Sequence, residues 1–350
     1  MIEPKIIMPF LSHHQNYGLI SNQIFGGIER FKKLVYEHIP NVLPVEITKE
    51  QRKKRIGKSI FHFEYWQYQP DIIFVNDASK VFSSGLIDYN VPVVWVCHEP
   101  LERTIQNIEM MKRFNPFIDR GGHLYFVSQI QHEFFDNMSK RILGYPIKNI
   151  MGYVNPSCCL GTEQVYTGNR EYDAVTIGRT IRSKDPFWLH RKLENTNLKS
   201  AVITGKINLL KNDKEHEYFN FNYKWVEPRY TFRGLSHEET LYEMSKGGVF
   251  VSTWASESWG ITALEALSYG LPLLLITSSM NKHASQYIAG NENHFRHIKK
   301  GIKSENLLDI IKEMNTISLD DRMEIAKITQ ENHSLQNFKN MMNSIFRKAL

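Results

Sequence analysis

The chain has 350 residues, 42% of them hydrophobic and 23% charged, which allows two ordinary α/β domains with sizeable cores and excludes a small disulfide-stapled module. No run approaches the ~18 uninterrupted apolar residues that a membrane span needs, and Met1-Ile2-Glu3-Pro4-Lys5 lacks the basic-then-apolar layout of a signal peptide, so a cytoplasmic protein is expected. The net charge of +6 permits an anionic partner without identifying one.

Lys5-Ile6-Ile7-Met8-Pro9-Phe10 reads as a first strand, and Pro9 predicts that it is an edge or ends early. His13 and His14 follow in a polar loop. No carboxylate or cysteine stands at ligand spacing from them, so no metal is expected there. Phe25-Gly26-Gly27-Ile28-Glu29 opens a helix through Phe31, Leu34 and Val35. Paired glycines let the backbone approach a phosphate at a helix N-terminus, and taken alone they read as a flexible turn. The densest basic stretch, from Lys49 to Lys58, contains Arg52, Lys53, Lys54 and Arg55 and is either a solvated face or an anion-binding surface.

Ile72-Ile73-Phe74-Val75 and Val91-Pro92-Val93-Val94-Trp95-Val96 predict two further strands. Cys97-His98-Glu99-Pro100 ends the second and sets His98 at a strand's carboxyl end, as a ligand group or as a buried structural histidine. A strand at Leu124-Tyr125-Phe126-Val127-Ser128, a helix carrying Phe134, Phe135 and Met138, and Ile150-Met151-Gly152-Tyr153-Val154 close this half. From Cys158 to Arg170 the pattern loosens into a predicted linker. The adjacent Cys158 and Cys159 suit neither a disulfide framework nor a zinc site.

Ala174-Val175-Thr176-Ile177-Gly178 restarts the strand-helix alternation and leads into Arg179-Thr180-Ile181-Arg182-Ser183-Lys184-Asp185. Two cations at that edge can neutralise a diphosphate. After a strand at 200–205, Ser236 and Glu239 form a capping box before a helix with Leu241, Tyr242 and Met244. The strand Gly248-Val249-Phe250-Val251 then feeds the loop Ser252 to Gly260 and a helix that Gly270 and Pro272 end, with Leu273-Leu274-Leu275-Ile276 as the next strand. Glu257 thus lies in the loop and Glu265 inside the helix that Gly260 and Ile261 open. Carboxylates at such an edge accept hydrogen bonds from sugar or ribose hydroxyls, and the opening amides hold an anion. Residues 307–350 are helical by periodicity.

Glu257 and Glu265, with seven residues between them, resemble the donor-site signature of retaining GT-B glycosyltransferases of glycosyltransferase family 4. The resemblance covers nearly the whole chain and is more specific in the second half. It implies an α/β fold of two facing Rossmann-like, doubly wound domains with an interdomain cleft: an acceptor domain at 1–160, a nucleotide-sugar domain at 161–330, and a terminal helix, 331–350, packing back on the first. It also implies roles. Glu257 and His98 meet the transferred sugar and Glu265 the ribose; Arg179, Lys184, Gly26 and Gly27 meet the diphosphate; Gly234 and Leu235 hold the base; Gly260 and Ile261 belong to the same donor site. The family's usual Gly after the Lys is Asp185 here, a departure that bears on the turn carrying Lys184.

The resemblance further implies an enzyme that moves a sugar from a nucleotide sugar, expected to be a UDP-sugar, to an acceptor hydroxyl with retention. The donor is a substrate, no cofactor is expected, and no Asp-x-Asp motif calls for a metal. Val94 to Glu99 followed by Arg103, Lys112 and Arg113, and Ile177-Gly178-Arg179-Thr180 followed by Lys184, are similar to the DNA α-glucosyltransferases of T-even-type phages. That likeness implies a phage-encoded enzyme in the host cytoplasm whose favoured acceptor is a 5-hydroxymethylated pyrimidine of duplex DNA, flipped from its stack and held through Arg52, Lys53, Lys54 and Arg55. The other reading is a glycosyltransferase of cell-surface polysaccharide or lipopolysaccharide. A sugar-nucleotide-binding protein without activity fits less well with Arg179, Lys184, Glu257 and Glu265 all present.

Overall fold

The computed structural model describes residues 4–11, 27–47, 69–76, 91–99, 101, 104–178, 184–204, 231–233, 235–277, 283–289 and 291–350. The chain divides into two compact units, residues 1–157 with 335–350, and residues 158–334.

In the first unit β1 (Ile6–Leu11), α1 (Gly27–His38), β2 (Val42–Ile47), β3 (Ile72–Val75), β4 (Val93–Cys97), α2 (Thr104–Asp119), β5 (His123–Phe126), α3 (Gln129–Leu143) and β6 (Gly152–Tyr153) build a parallel sheet ordered β2-β1-β3-β4-β5-β6. β3 and β4 are buried along their whole length, as unbroken apolar strands covered on both faces must be. Pro9 does not put β1 at the edge. The strand pairs with β2 over all six residues but with β3 only at Ile6 and Ile7, so Pro9 falls where one side carries no ladder partner and its missing N–H costs nothing. On one face Trp95 packs 5.0 Å from Phe114, which meets Phe135 edge-on at 5.5 Å. Ser128 caps α3 by accepting from Gln131 N, and Gly144, at φ 78°, ends it.

The second unit contains β7 (Tyr172–Ile177), α4 (Trp188–Leu193), β8 (Ser200–Thr204), β9 (Thr231–Arg233), α5 (His237–Ser245), β10 (Gly247–Ser252), α6 (Ile261–Ser268), β11 (Leu273–Thr277), β12 (Phe295–Lys299), α7 (Ser304–Asn315) and α8 (Leu319–Asn332). Its sheet is also parallel, in the order β12-β11-β10-β7-β8-β9. The chain winds outward from β7 through β8 to β9, then returns to β7's other side with β10. That reversal is a topological switch point, where open α/β sheets place their ligands, just beyond the carboxyl ends of β7 and β10. At the opposite end of β10 the buried Arg322 donates to Gly248 O at 2.8 Å, and burial pushes its pKa down to about 10, leaving it charged at neutral pH.

The helical tail is three helices, α7, α8 and α9 (Leu335–Ala349), with a Ser318–Asp321 capping box starting α8. Only α9 belongs to the first unit, because α8 runs on to Asn332. Its Phe338 lies 6.0 Å from Phe31 and its Phe346 5.2 Å from Phe74, both edge-on. The expected linker begins as structure. Cys158 and Cys159 are buried and form no disulfide, Cys159 N donates to His333 O at 2.8 Å, and the second unit starts at Cys158.

Candidate functional site

The loop after β10 crosses the switch point and enters α6 through Gly260, whose φ of 103° suits glycine alone. A Cβ there would also lie 2.0 Å from Ser285 Oγ, which itself donates to Trp259 O at 3.2 Å. No side chain caps α6, so the amides at its opening, around Ile261, lie outside the helix's own ladder and face an end that favours anions.

His283 pins the start of this loop. Its Nδ1 accepts from Ser285 N at 3.1 Å, so the proton sits on Nε2, which donates toward Trp254 O at 3.1 Å with Ser252 Oγ 3.2 Å away. Burial lowers its pKa to about 4, so it is a neutral fastener at physiological pH. Nothing in the spacing of the sequence pointed to His283.

Two expected donor residues meet here. Lys184 Nζ, past the end of β7, is 3.9 Å from Glu257 Oε2 in the β10 loop, and both side chains are about one-fifth exposed, at 21% and 19%. The same ammonium stands 4.1 Å from the centroid of the Trp254 ring, and Thr253 Oγ1 donates to the Lys184 carbonyl at 2.6 Å. Asp185 adopts a left-handed backbone at φ 38°. Its buried carboxylate takes Arg191 Nη2 at 2.5 Å, and its carbonyl accepts from Trp188 N at 3.0 Å at the start of α4.

Glu265, inside α6, is buried at 8% exposure, with His237 Nε2 3.4 Å from its Oε1. His237 is brought there by the Ser236–Glu239 capping box that opens α5 directly after Leu235. Histidines 237 and 283 and Trp254 are the neighbours that sequence reasoning missed. His237 and Trp254 each come from a different element than Glu265 and Lys184, which they contact.

In the first unit His98 follows β4 at the carboxyl edge. Its Nε2 donates to Asn76 Oδ1 at 3.3 Å and its ring lies 4.9 Å from Phe31. Burial, reinforced by the Lys32 charge, lowers its pKa to about 3, so it is a neutral hydrogen-bonding group. Gly27 is the first residue of α1. Gly26, Arg179, Gly234 and the basic residues Arg52, Lys53, Lys54 and Arg55 lie outside the described residues. Among the described residues there is no group of three or more His, Cys, Asp or Glu side chains that could hold a metal, and no helix is long and apolar enough to cross a membrane.

No protein-family model and no curated protein sequence matches the chain. Solved structures do. The HepE protein of Anabaena in complex with UDP-glucose aligns over 99% of this chain and 100% of its own, with a TM-score of 0.70 and 11% identity. A sucrose-phosphate synthase from Thermosynechococcus elongatus aligns over 99% of both chains with a TM-score of 0.71 and 11% identity. A glycosyltransferase from Rickettsia africae covers 100% of this chain and 99% of its own, with a TM-score of 0.62 and 15% identity. The chain therefore has the two-sheet parallel α/β fold of GT-B proteins.

Proposed function

We propose that the chain is a glycosyltransferase that moves a sugar from a UDP-sugar to an acceptor hydroxyl with retention at the anomeric carbon. The observation that carries this reading is the meeting of Lys184 and Glu257 at the switch point of the second sheet. It is supported by the fold shared with HepE, a protein solved with UDP-glucose and with UDP. In the reaction the bond from the anomeric carbon to the diphosphate oxygen breaks and a bond to the acceptor oxygen forms. The acceptor's proton leaves with the diphosphate.

Lys184 and Arg179, with the amides at Gly26, Gly27 and the opening of α6, neutralise the charge that develops on the diphosphate. Glu257 accepts hydrogen bonds from the sugar hydroxyls, the neutral His98 ring hydrogen-bonds to them, and Glu265 accepts from the ribose, while the backbone at Gly234 and Leu235 holds the base. No covalent glycosyl-enzyme is invoked.

For the acceptor we propose a 5-hydroxymethylated pyrimidine in duplex DNA. Among the described cations of the first unit, Lys112 pairs with Glu109 at 3.0 Å, Lys140 with Asp136 at 2.6 Å, and Lys148 with Asp119. Further cations of this unit, among them Arg141, Arg347 and Lys348, are present as well, and the DNA reading is placed on the run Arg52, Lys53, Lys54 and Arg55 for its density of charge in the sequence. The test is a panel of nucleotide sugars incubated with hydroxymethylated duplexes, with released nucleoside diphosphate and the mass of the DNA both followed. Sugar on the DNA supports the whole reading. Nucleoside diphosphate release without modified DNA retains the transferase and moves the acceptor to the polysaccharide or lipopolysaccharide class.

A further inference from the structure

We infer that Trp254 is a positioning residue for Lys184, setting the ammonium at the place from which it meets the departing diphosphate; the inference rests on the donor reading above. The two residues come from the segments that follow β10 and β7, the strands flanking the switch point. The Lys184 backbone is fixed twice, by Thr253 Oγ1 on its own carbonyl at 2.6 Å and, one residue on, by Arg191 on the buried Asp185 carboxylate at 2.5 Å. A fixed backbone still leaves a lysine its flexible four-carbon stem, and the lost rotamer freedom of such a stem is charged against every contact the ammonium makes. The Trp254 ring, 4.1 Å from Nζ, removes that freedom before a ligand arrives.

The kind of contact matters as much as its length. A carboxylate partner takes up N–H donors of the ammonium, and Glu257 at 3.9 Å would by itself draw Lys184 toward the sugar-binding carboxylate. An aromatic face attracts the charge through its quadrupole without carrying a neutralising charge of its own, so the ammonium keeps its full charge for a diphosphate. The Lys184 side chain is 21% exposed, so it is held on one side and reached by solvent on another.

The test compares Trp254→Leu, which keeps an apolar contact with the lysine stem, and Trp254→Phe, which keeps a π face. In a UDP-release assay the Leu variant is expected to lose about tenfold in kcat with donor KM within about twofold, and the Phe variant to stay within about threefold of wild type. In a Lys184→Met background, adding Trp254→Leu should cost nothing further. Wild-type kcat in the Leu variant, equal losses in Leu and Phe, or additive losses in the double variant overturn the inference. A readout independent of turnover accompanies these. The emission belonging to Trp254, taken as wild type minus Trp254→Phe, should shift when Lys184 is replaced by Met and again when UDP is added to wild type. Unchanged emission in Lys184→Met overturns the contact alone. A wild-type protein that binds no UDP and releases none from any donor overturns the donor reading, and with it the role of the contact.

Discussion

Lys184 Nζ lies 3.9 Å from Glu257 Oε2, although the two residues belong to segments that follow different strands, β7 and β10. An ammonium and a carboxylate held together at a sheet's switch point form a site ready for a ligand that carries both anionic and hydroxyl groups. On the proposed function, replacing Lys184 by Met takes away a charge that stabilises the leaving group and should lower kcat by about 10²–10³-fold with little change in donor KM. Glu257→Gln keeps the shape and loses the strong acceptor, and should lower kcat as well. Steady-state kinetics of UDP release check both, and near-wild-type turnover in the pair removes the assignment.

Glu265 is a buried carboxylate with His237 beside it, and the proposed function gives it the ribose. Glu265→Gln should raise donor KM by about 10- to 100-fold, the range for a hydrogen bond to a charged group, and leave kcat within about twofold. His237→Ala should move KM in the same direction by less. Titration calorimetry with UDP reads the same ordering without turnover, and unaltered affinity in Glu265→Gln contradicts it.

Burial decides how much of the fold and the site was legible in the sequence. β4 and β11 are unbroken apolar runs because both faces of the sheet are covered, and both could be read. The strands that escaped notice, β2, β9 and β12, all lie at sheet edges, where one ladder partner and partial exposure permit Pro44 in β2 or the alternation Phe295-Arg296-His297-Ile298-Lys299 in β12. In the site, the spacing of Glu257 and Glu265 and the cation Lys184 beyond β7 could be read directly. Trp254, His237 and His283 could not, since what makes them relevant is contact with distant segments. Asp185 was legible only as an anomaly. Its φ of 38° lies in the region that glycine adopts most readily, and its carboxylate holds Arg191.

Gly260 carries a backbone requirement as well as a steric one. Gly260→Ala forces a side chain into the left-handed region, at about 1–2 kcal/mol, and sets a methyl against Ser285 Oγ. The variant should melt lower and bind UDP more weakly. Adding Ser285→Gly should recover part of the loss and no more, because the φ penalty remains. Full recovery, or no loss at all, would show that the loop does not hold this conformation.

Acid should weaken the fold in a defined direction. Burial holds His98 at a pKa of about 3 and His190 and His283 at about 4, all below the ordinary 6.5. Between those values and 6.5 the unfolded chain binds more protons than the native one, so stability rises with pH through that window and is fully present above it. Urea midpoints measured from about pH 7 down to about pH 5 should fall, with a shallower fall in His283→Gln once its change at about pH 7 is subtracted. A flat profile contradicts the buried neutral state of these rings.

One time course bears on the glycosyltransferase reading more directly than any variant. Proton NMR of the anomeric region, with UDP-glucose and other UDP-sugars, protein and hydroxymethylated duplex DNA together, follows donor and product at once. A retaining transferase gives decay of the donor's anomeric signal and growth of a product signal of the same configuration, absent when Glu257→Gln replaces the wild type. A donor signal unchanged with every UDP-sugar, or a product of inverted configuration, would contradict it.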